Sequence, residues 1–243
     1  MNSGFYAACS ALLARSDALD VAANNLSNVN TTGFRSQAEL FRSMVSPDST
    51  ANSLNRAIND YGVLGGTFIN MNSGHLEPTG NSLDLGIEGA GFFVAQTKAG
   101  IRYTRNGNFH VDTNGTLLTA EGDPVLGDRN LKLQLPSGPV SVSSDGTISV
   151  AGTLVGKLRL VELDPSSMTA EGNSYFQAAP EKVTDATATR VRQGMLESSN
   201  VEPVSASIGL LALQRHADLL ERTLHVFYSD FDRTAVDQLA RGQ

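Results

Sequence analysis

A chain of 243 residues that is 40% hydrophobic is long enough for one large domain or two small ones with real cores. Its formal net charge of -7, with no run of Lys or Arg, excludes the clustered cations that nucleic acid or an anionic membrane surface requires. Cys9, the single cysteine, excludes an intramolecular disulfide and a cysteine-rich metal site, and no stretch approaches the ~20 apolar residues of a membrane span.

Residues 3–30 carry a sustained heptad. Phe5, Leu12, Leu19 and Leu26 recur every seven residues, with Ala8, Ala22 and Val29 at the companion positions and Arg15 as the one break. The spacing predicts a helix with one apolar seam, closed at Gly33, where glycine accepts the left-handed conformation. Asn24 and Asn28 fall one turn apart on another face, where carboxamides either fix the register of packed helices or mark a frayed, asparagine-rich helix end leading into a turn. The start of the chain lacks the basic segment of a secretory signal, so export without a cleaved signal peptide is expected.

Residues 35–72, rich in Ser, Asn and Arg and carrying Pro47, read as an irregular connector. From 73 to 198 glycine becomes frequent and short β-branched or aromatic runs are bounded by turn dipeptides. Asn114-Gly115 and Asp145-Gly146 each predict a hairpin, and Val155–Leu163 alternates as one half-buried strand. Gly86, Gly89 and Gly91 have neither the helix pattern nor the lysine of a phosphate cradle, so a tight strand crossing is expected there. Arg105, beside Gly107, is expected to brace a turn or to bridge neighbouring subunits.

Residues 199–243 predict a second helix, opened near Pro203. Leu210, Leu213, Ala217, Leu220, Leu224, Phe227 and Phe231 alternate by three and four, while Arg215, Asp218, Glu221 and Arg222 fall off that seam as a solvated face. The fold class is therefore α+β, with N- and C-terminal coiled-coil helices flanking a central all-β domain. Two apolar stripes at opposite ends of a chain have nothing local to bury against, which points to assembly.

Nothing in the sequence signals catalysis. No Gly-x-Ser-x-Gly elbow occurs, and His75, His110, His216 and His225 lack an i, i+4 partner, so no catalytic, metal or cofactor site is predicted. A β module that binds a surface ligand would want an aromatic groove, but the chain has no Trp and 6% aromatics. A wall hydrolase would need paired catalytic carboxylates in a cleft, and the acids here are scattered along the chain.

Four ordered blocks carry a resemblance. The segment Ala23-Asn24-Asn25-Leu26-Ser27-Asn28-Val29-Asn30-Thr31-Thr32-Gly33-Phe34-Arg35 is similar to the N-terminal signature of the flagellar basal-body rod and hook protein family, with Ser27 where that family usually has alanine. Asp84–Phe93, Tyr103–Phe109 and the closing Ser199–Val204 with Gln214-Arg215 resemble later blocks of the same family. The resemblance implies a structural subunit of the flagellar rod, placed in the periplasmic part of the basal body. Its partners would be other rod proteins, copies of itself and the flagellar type III export apparatus, with no nucleic acid, membrane insertion or cofactor. Its terminal helices would line an inner coiled-coil tube. The assembly surface would then comprise Phe5, Leu12, Leu19 and Leu26 with Asn24, Asn25 and Asn28, the turn residues Gly33, Phe34, Asn200 and Val201, and the C-terminal seam already named. Distal rod and hook members tend to carry an added stretch after the first helix. Only a weak echo of it is present at Asp60–Gly66, so the chain is expected to be of the proximal rod type, with the distal rod type as the alternative.

Overall fold

A computed structural model describes residues 2–45, 60–172 and 174–241, with side chains described over 9–39, 66–172, 174–226 and at Ser229. Helix α1 spans Asn2–Ser27 and helix α2 spans Pro203–Arg241, with a mostly β region between them. Pro203 opens α2 because the first turn of a helix does not use the amide that proline lacks. The chain falls into two units. One holds Met1–Leu26, Gln37–Phe68 and Pro203–Gln243, and the other holds Ser27–Ser36 and Ile69–Glu202.

In the first unit, the burial of α1 falls on small residues beside its heptad. Among its described side chains the buried ones are Ala14 and Ala18, while Leu12, Leu19 and Leu26 are half-buried. At ~100° per residue the alanine pair lies roughly a third of a turn from the leucine line. Small side chains let a neighbouring backbone come close, and the heptad count, which weighs bulk, passes over them. On α2, Leu210, Leu213, Ala217, Leu220 and Leu224 are likewise half-buried among exposed neighbours. Phe5, Phe227 and Phe231 lie outside the described side chains.

The segment expected as an irregular connector is strand over much of its described length, and its residues 46–59 lie outside the described residues. It holds strands β1 (Gln37–Val45) and β2 (Asp60–Ile69), which form a two-stranded sheet. The carboxamide of Asn25 docks the start of β1 as a peptide group would, donating to the Gln37 carbonyl at 2.7 Å and accepting from the Gln37 amide at 2.9 Å. The strands avoid the Ser- and Asn-rich part of the segment and use its apolar stretches, Gln37–Val45 and Asp60–Ile69.

The second unit is built around a six-stranded antiparallel sheet. Its strands are β5 (Phe92–Thr97), β6 (Gly100–Thr104), β12 (Leu160–Leu163), β13 (Thr169–Glu171), β14 (Tyr175–Gln177) and β15 (Val183–Asp185), in the order β13-β14-β6-β5-β12-β15. Strand β5 is apolar on both faces. Phe93 enters one core with Phe109, Leu117, Ile148 and Val191, and Phe92 and Val94 enter another with Tyr103, Val161 and Phe176. Successive residues of a strand point to opposite faces, so one Phe-Phe pair serves both cores.

Both predicted hairpins form. Strands β7 (Phe109–Val111) and β8 (Leu117–Thr119) are joined by a turn in which the Asp112 carboxylate accepts from the amides of Asn114 at 2.9 Å and Thr116 at 2.7 Å. Strands β9 (Val140–Val142) and β10 (Thr147–Val150) pair across Gly146. The expected single strand from Val155 to Leu163 is instead two. Strand β11 (Thr153–Lys157) pairs with β10 in a three-stranded sheet, the chain bends at Leu158 and Arg159, and β12 joins the large sheet. Alternation continues through the bend because both halves face the same core, through Leu158 and Leu160.

The remaining pairs are β4 (Leu85–Glu88) with β16 (Arg190–Gln193) and β3 (Leu76–Pro78) with β17 (Met195–Glu197). A side chain at Gly86 would reach the Leu76 side chain at 2.6 Å, and one at Gly91 would reach Thr189 at 2.6 Å. The glycine block is thus a strand crossing. Among the described residues no helix is long and apolar enough to cross a membrane.

Candidate functional site

The second unit receives the chain at 27–36 and releases it at 197–202, and these two passes lie side by side. The Gly33 amide donates to the Glu197 carbonyl at 2.8 Å, and the Asn200 amide donates to the Phe34 carbonyl at 3.3 Å. The Ser36 carbonyl accepts from the Asn70 amide at 2.8 Å, which ties a third segment to the pair. Gly33 is required twice over. Its φ of +70° is costly for any other residue, and an added Cβ would sit 2.4 Å from the Arg105 carbonyl carbon. The left-handed residue expected to end α1 is therefore used to seat the chain on the β module, six residues after the helix has stopped.

Beneath the paired passes lies a charged cluster. The Arg35 guanidinium meets Glu197 Oε1 at 2.8 Å, and Arg105 Nη1 donates to Glu197 Oε2 at 3.0 Å, with all three side chains 1% exposed. The Gly74 amide completes the carboxylate's shell, donating to Oε1 at 2.9 Å. Two buried cations on one anion leave an excess positive charge, which backbone oxygens and a ring offset. Arg105 Nη2 donates to the Gly89 carbonyl at 2.5 Å, Arg35 Nη1 donates to the Asn72 carbonyl, and the Arg105 guanidinium stands 5.0 Å from the centre of the Phe92 ring.

The electrostatics follow from that imbalance. Burial brings the Arg105 pKa down to about 10; Glu197 pulls it back up and the nearby Arg35 pushes it further down. Burial lowers Arg35 as well, against the pull of Glu197. Arginine keeps its charge at neutral pH, so the two guanidiniums act as fixed cations that hold the Glu197 carboxylate between them. A buried clamp of this kind is strongly destabilised when one partner is lost, by ~3–5 kcal/mol, although its net contribution is much smaller.

The expected assembly residues divide accordingly. Asn28 is buried and accepts from the Thr31 hydroxyl at 3.0 Å, and Gly33 and Phe34 are buried against the module. Asn200 is half-buried and Val201 sits next to it on the outgoing pass. Asn25 is engaged with Gln37, whereas Asn24 is exposed. Arg105 braces the fold within the protomer. Arg35 and Glu197, the centre of the site, were missed by sequence reasoning. Arg35 closes the signature segment and Glu197 sits just before Ser199, but neither charge carries a local sign of burial.

The comparisons with known proteins fall on this same geometry. A family model described as flagella basal body rod protein matches residues 5–35, ending at the clamp arginine. A second, described as flagellar hook protein FlgE/F/G D1 domain, matches residues 86–150 in the β module. The chain is similar to the flagellar basal-body rod protein FlgF of Caulobacter vibrioides, 34% identical over 99% of each chain. It is 36% identical to the FlgF of Mesorhizobium japonicum, over 88% of this chain and 89% of that one. The flagellar basal-body rod protein FlgG of Bacillus subtilis is 31% identical over 81% of this chain and 84% of its own.

Proposed function

From the premise that this chain belongs to the flagellar basal-body rod protein family, we propose that it works as a proximal, FlgF-type subunit whose terminal helices join an inner coiled-coil tube while the β module stands outside. The relatives named FlgF reach 34 and 36% identity against 31% for the FlgG relative, which supports the proximal type over the distal FlgG type. The subunit is delivered by the flagellar type III export apparatus and takes its place in the periplasmic rod beside other rod proteins and copies of itself. It acts by holding shape and not by catalysis.

The observation that carries this reading is the buried Arg35–Glu197–Arg105 clamp between the incoming and outgoing passes. A rod transmits torque, so its wall helices must be coupled to the module they carry. Two single-chain crossings would yield separately. Crossings hydrogen-bonded to each other and ionically bound to a strand core yield only together. The half-buried seam from Leu210 to Leu224 supplies the surface that assembly completes, so folding of the termini is coupled to subunit addition.

The test is a tagged chain followed into purified basal bodies, with cross-linking to adjacent subunits through cysteines placed on the two helices. Cross-links to rod subunits on the membrane-proximal side are expected. A chain absent from basal bodies, or found only with hook subunits, would overturn the reading.

A further inference from the structure

Helix α2 carries two apolar faces. Opposite the half-buried seam, roughly half a turn away at ~100° per residue, Val204, Ile208, Leu211, Leu219 and Val226 form a second line. These five are 56–63% exposed. The gaps in that line are filled in register by Arg215 and Arg222, both exposed. A helix apolar on two sides is normally covered on two sides.

Helix α1 offers a complementary line. Leu13, Asp17, Asp20 and Asn24 follow one another at four-, three- and four-residue steps, all exposed, and avoid the buried Ala14 and Ala18. Asp17 and Asp20 are the only acids on α1, and its one cation, Arg15, is half-buried off that line. The two arginines stand ~10.5 Å apart along their helix and the two aspartates ~4.5 Å apart along theirs, so the long guanidinium stems can flank the acid pair.

We infer that the second face of α2 is covered by the acidic line of α1 from another copy of this chain, with Arg215 and Arg222 flanking Asp17 and Asp20. Both lines are exposed in the protomer, so the pairing is between copies. It rests on the rod reading and supplies that reading with a specific neighbour. The contact is heterologous, one face meeting a different face, and such contacts repeat into rings or helical arrays instead of closing as dimers. Apolar residues provide the driving force, and the charges select partner and register.

The experiment is sedimentation of the full-length chain at low ionic strength, with circular dichroism to verify that each variant is folded. The wild-type chain should self-associate with concentration and dissociate as salt rises. R215E/R222E and D17K/D20K should each weaken self-association by roughly tenfold or more, because two attractions become two repulsions. An equimolar mixture of the two variants should associate again, since each carries the face that the other lacks. Folded variants that associate like the wild type, a mixture that fails to associate, or a wild-type chain that stays monomeric throughout would each overturn the inference. Recovery in basal bodies separates the two claims: a charge-reversed variant that enters basal bodies at the wild-type level overturns this contact, whereas a wild-type chain that never enters them overturns the rod reading.

Discussion

The Ser36 amide donates to the Asn200 side-chain oxygen at 2.7 Å, a hydrogen bond that closes 164 residues of sequence. The amide nitrogen of the same side chain donates to the Asn70 and Asn72 carbonyls at 3.0 and 2.8 Å. One carboxamide thus joins the pass that follows α1, the pass that precedes α2 and the start of the β module. Its role inside the protomer is to hold the two ends of the module together, with the clamp directly beneath.

Glu197→Gln should be the most damaging single change in the second unit. It keeps the shape and removes the only carboxylate between two buried guanidiniums. The expected loss is ~3–5 kcal/mol, read as a lowered urea midpoint with an unchanged slope. Arg35→Met should cost less, because Glu197 keeps Arg105 and the excess buried charge disappears. Equal losses for the two variants would show that the charge imbalance carries no weight.

Gly33→Ala and Gly80→Ala make a matched pair. Both glycines have positive φ, +70° and +75°, but an added Cβ at Gly80 meets nothing within 4 Å. The Gly80 change should cost only the left-handed backbone penalty, about 1–2 kcal/mol. The Gly33 change adds a collision with the Arg105 backbone and should cost visibly more, or shift the clamp. Thermal melts of the two variants, compared directly, decide it.

The division of the chain predicts where it can be cut. A fragment of residues 27–202 retains Arg35, Glu197 and both passes and should fold alone with a cooperative transition. A fragment of residues 37–202 looks like a tidier β module but leaves Glu197 and Arg105 without Arg35, and Asn200 without Ser36. It should be less stable, chiefly through the hydrogen bonds lost between the two passes; removal of Arg35 leaves Glu197 paired with Arg105 and adds less than the ~3–5 kcal/mol of a broken buried pair. Identical urea midpoints would remove the clamp from any part in holding the module together.

Tyr175 should make stability fall at alkaline pH. Burial, reinforced by the hydrogen bond to Asp123 at 2.9 Å and by the charge of Glu121, raises its phenol well above the ordinary value, against a lowering hydrogen bond with Thr119 at 2.8 Å. The unfolded phenol ionises near pH ~10. Below that the folded-state preference for the neutral form is fully present, and it is lost as pH climbs from there towards the higher folded value. Tyr175→Phe should therefore be less sensitive than wild type to pH above ~10. Parallel stability curves for the two proteins would refute the assignment.

Much of this was legible where chemistry is local. Asn114-Gly115 predicts its hairpin because the turn needs a residue free to adopt positive φ, and Leu210 to Leu224 show their seam because bulk recurs at helical spacing. The burial of Ala14 and Ala18 on α1 has no counterpart in the sequence pattern, because alanines leave no bulk to count. Strands β1 and β2 were missed because their pairing comes from the fold and not from β-branched runs. The clamp was invisible for a different reason: Arg35 and Glu197 are ordinary charges at distant positions, and only folding reveals that both are buried and face each other.

The two faces of α2 should respond differently to one and the same change. Leu213 is half-buried in the protomer, so Leu213→Asp places a carboxylate in a partly dry seam. A loss of about 2 kcal/mol in the helical unit is expected, together with failure to enter basal bodies. Leu211, two positions away, is 56% exposed, and Leu211→Asp should leave protomer stability within about 0.5 kcal/mol of wild type. If the second face is used between copies, Leu211→Asp should nevertheless weaken self-association in sedimentation while its melt stays unchanged. A Leu211→Asp chain that melts early would mean that the face is already covered in the protomer. One that associates normally would mean that nothing covers it in the rod.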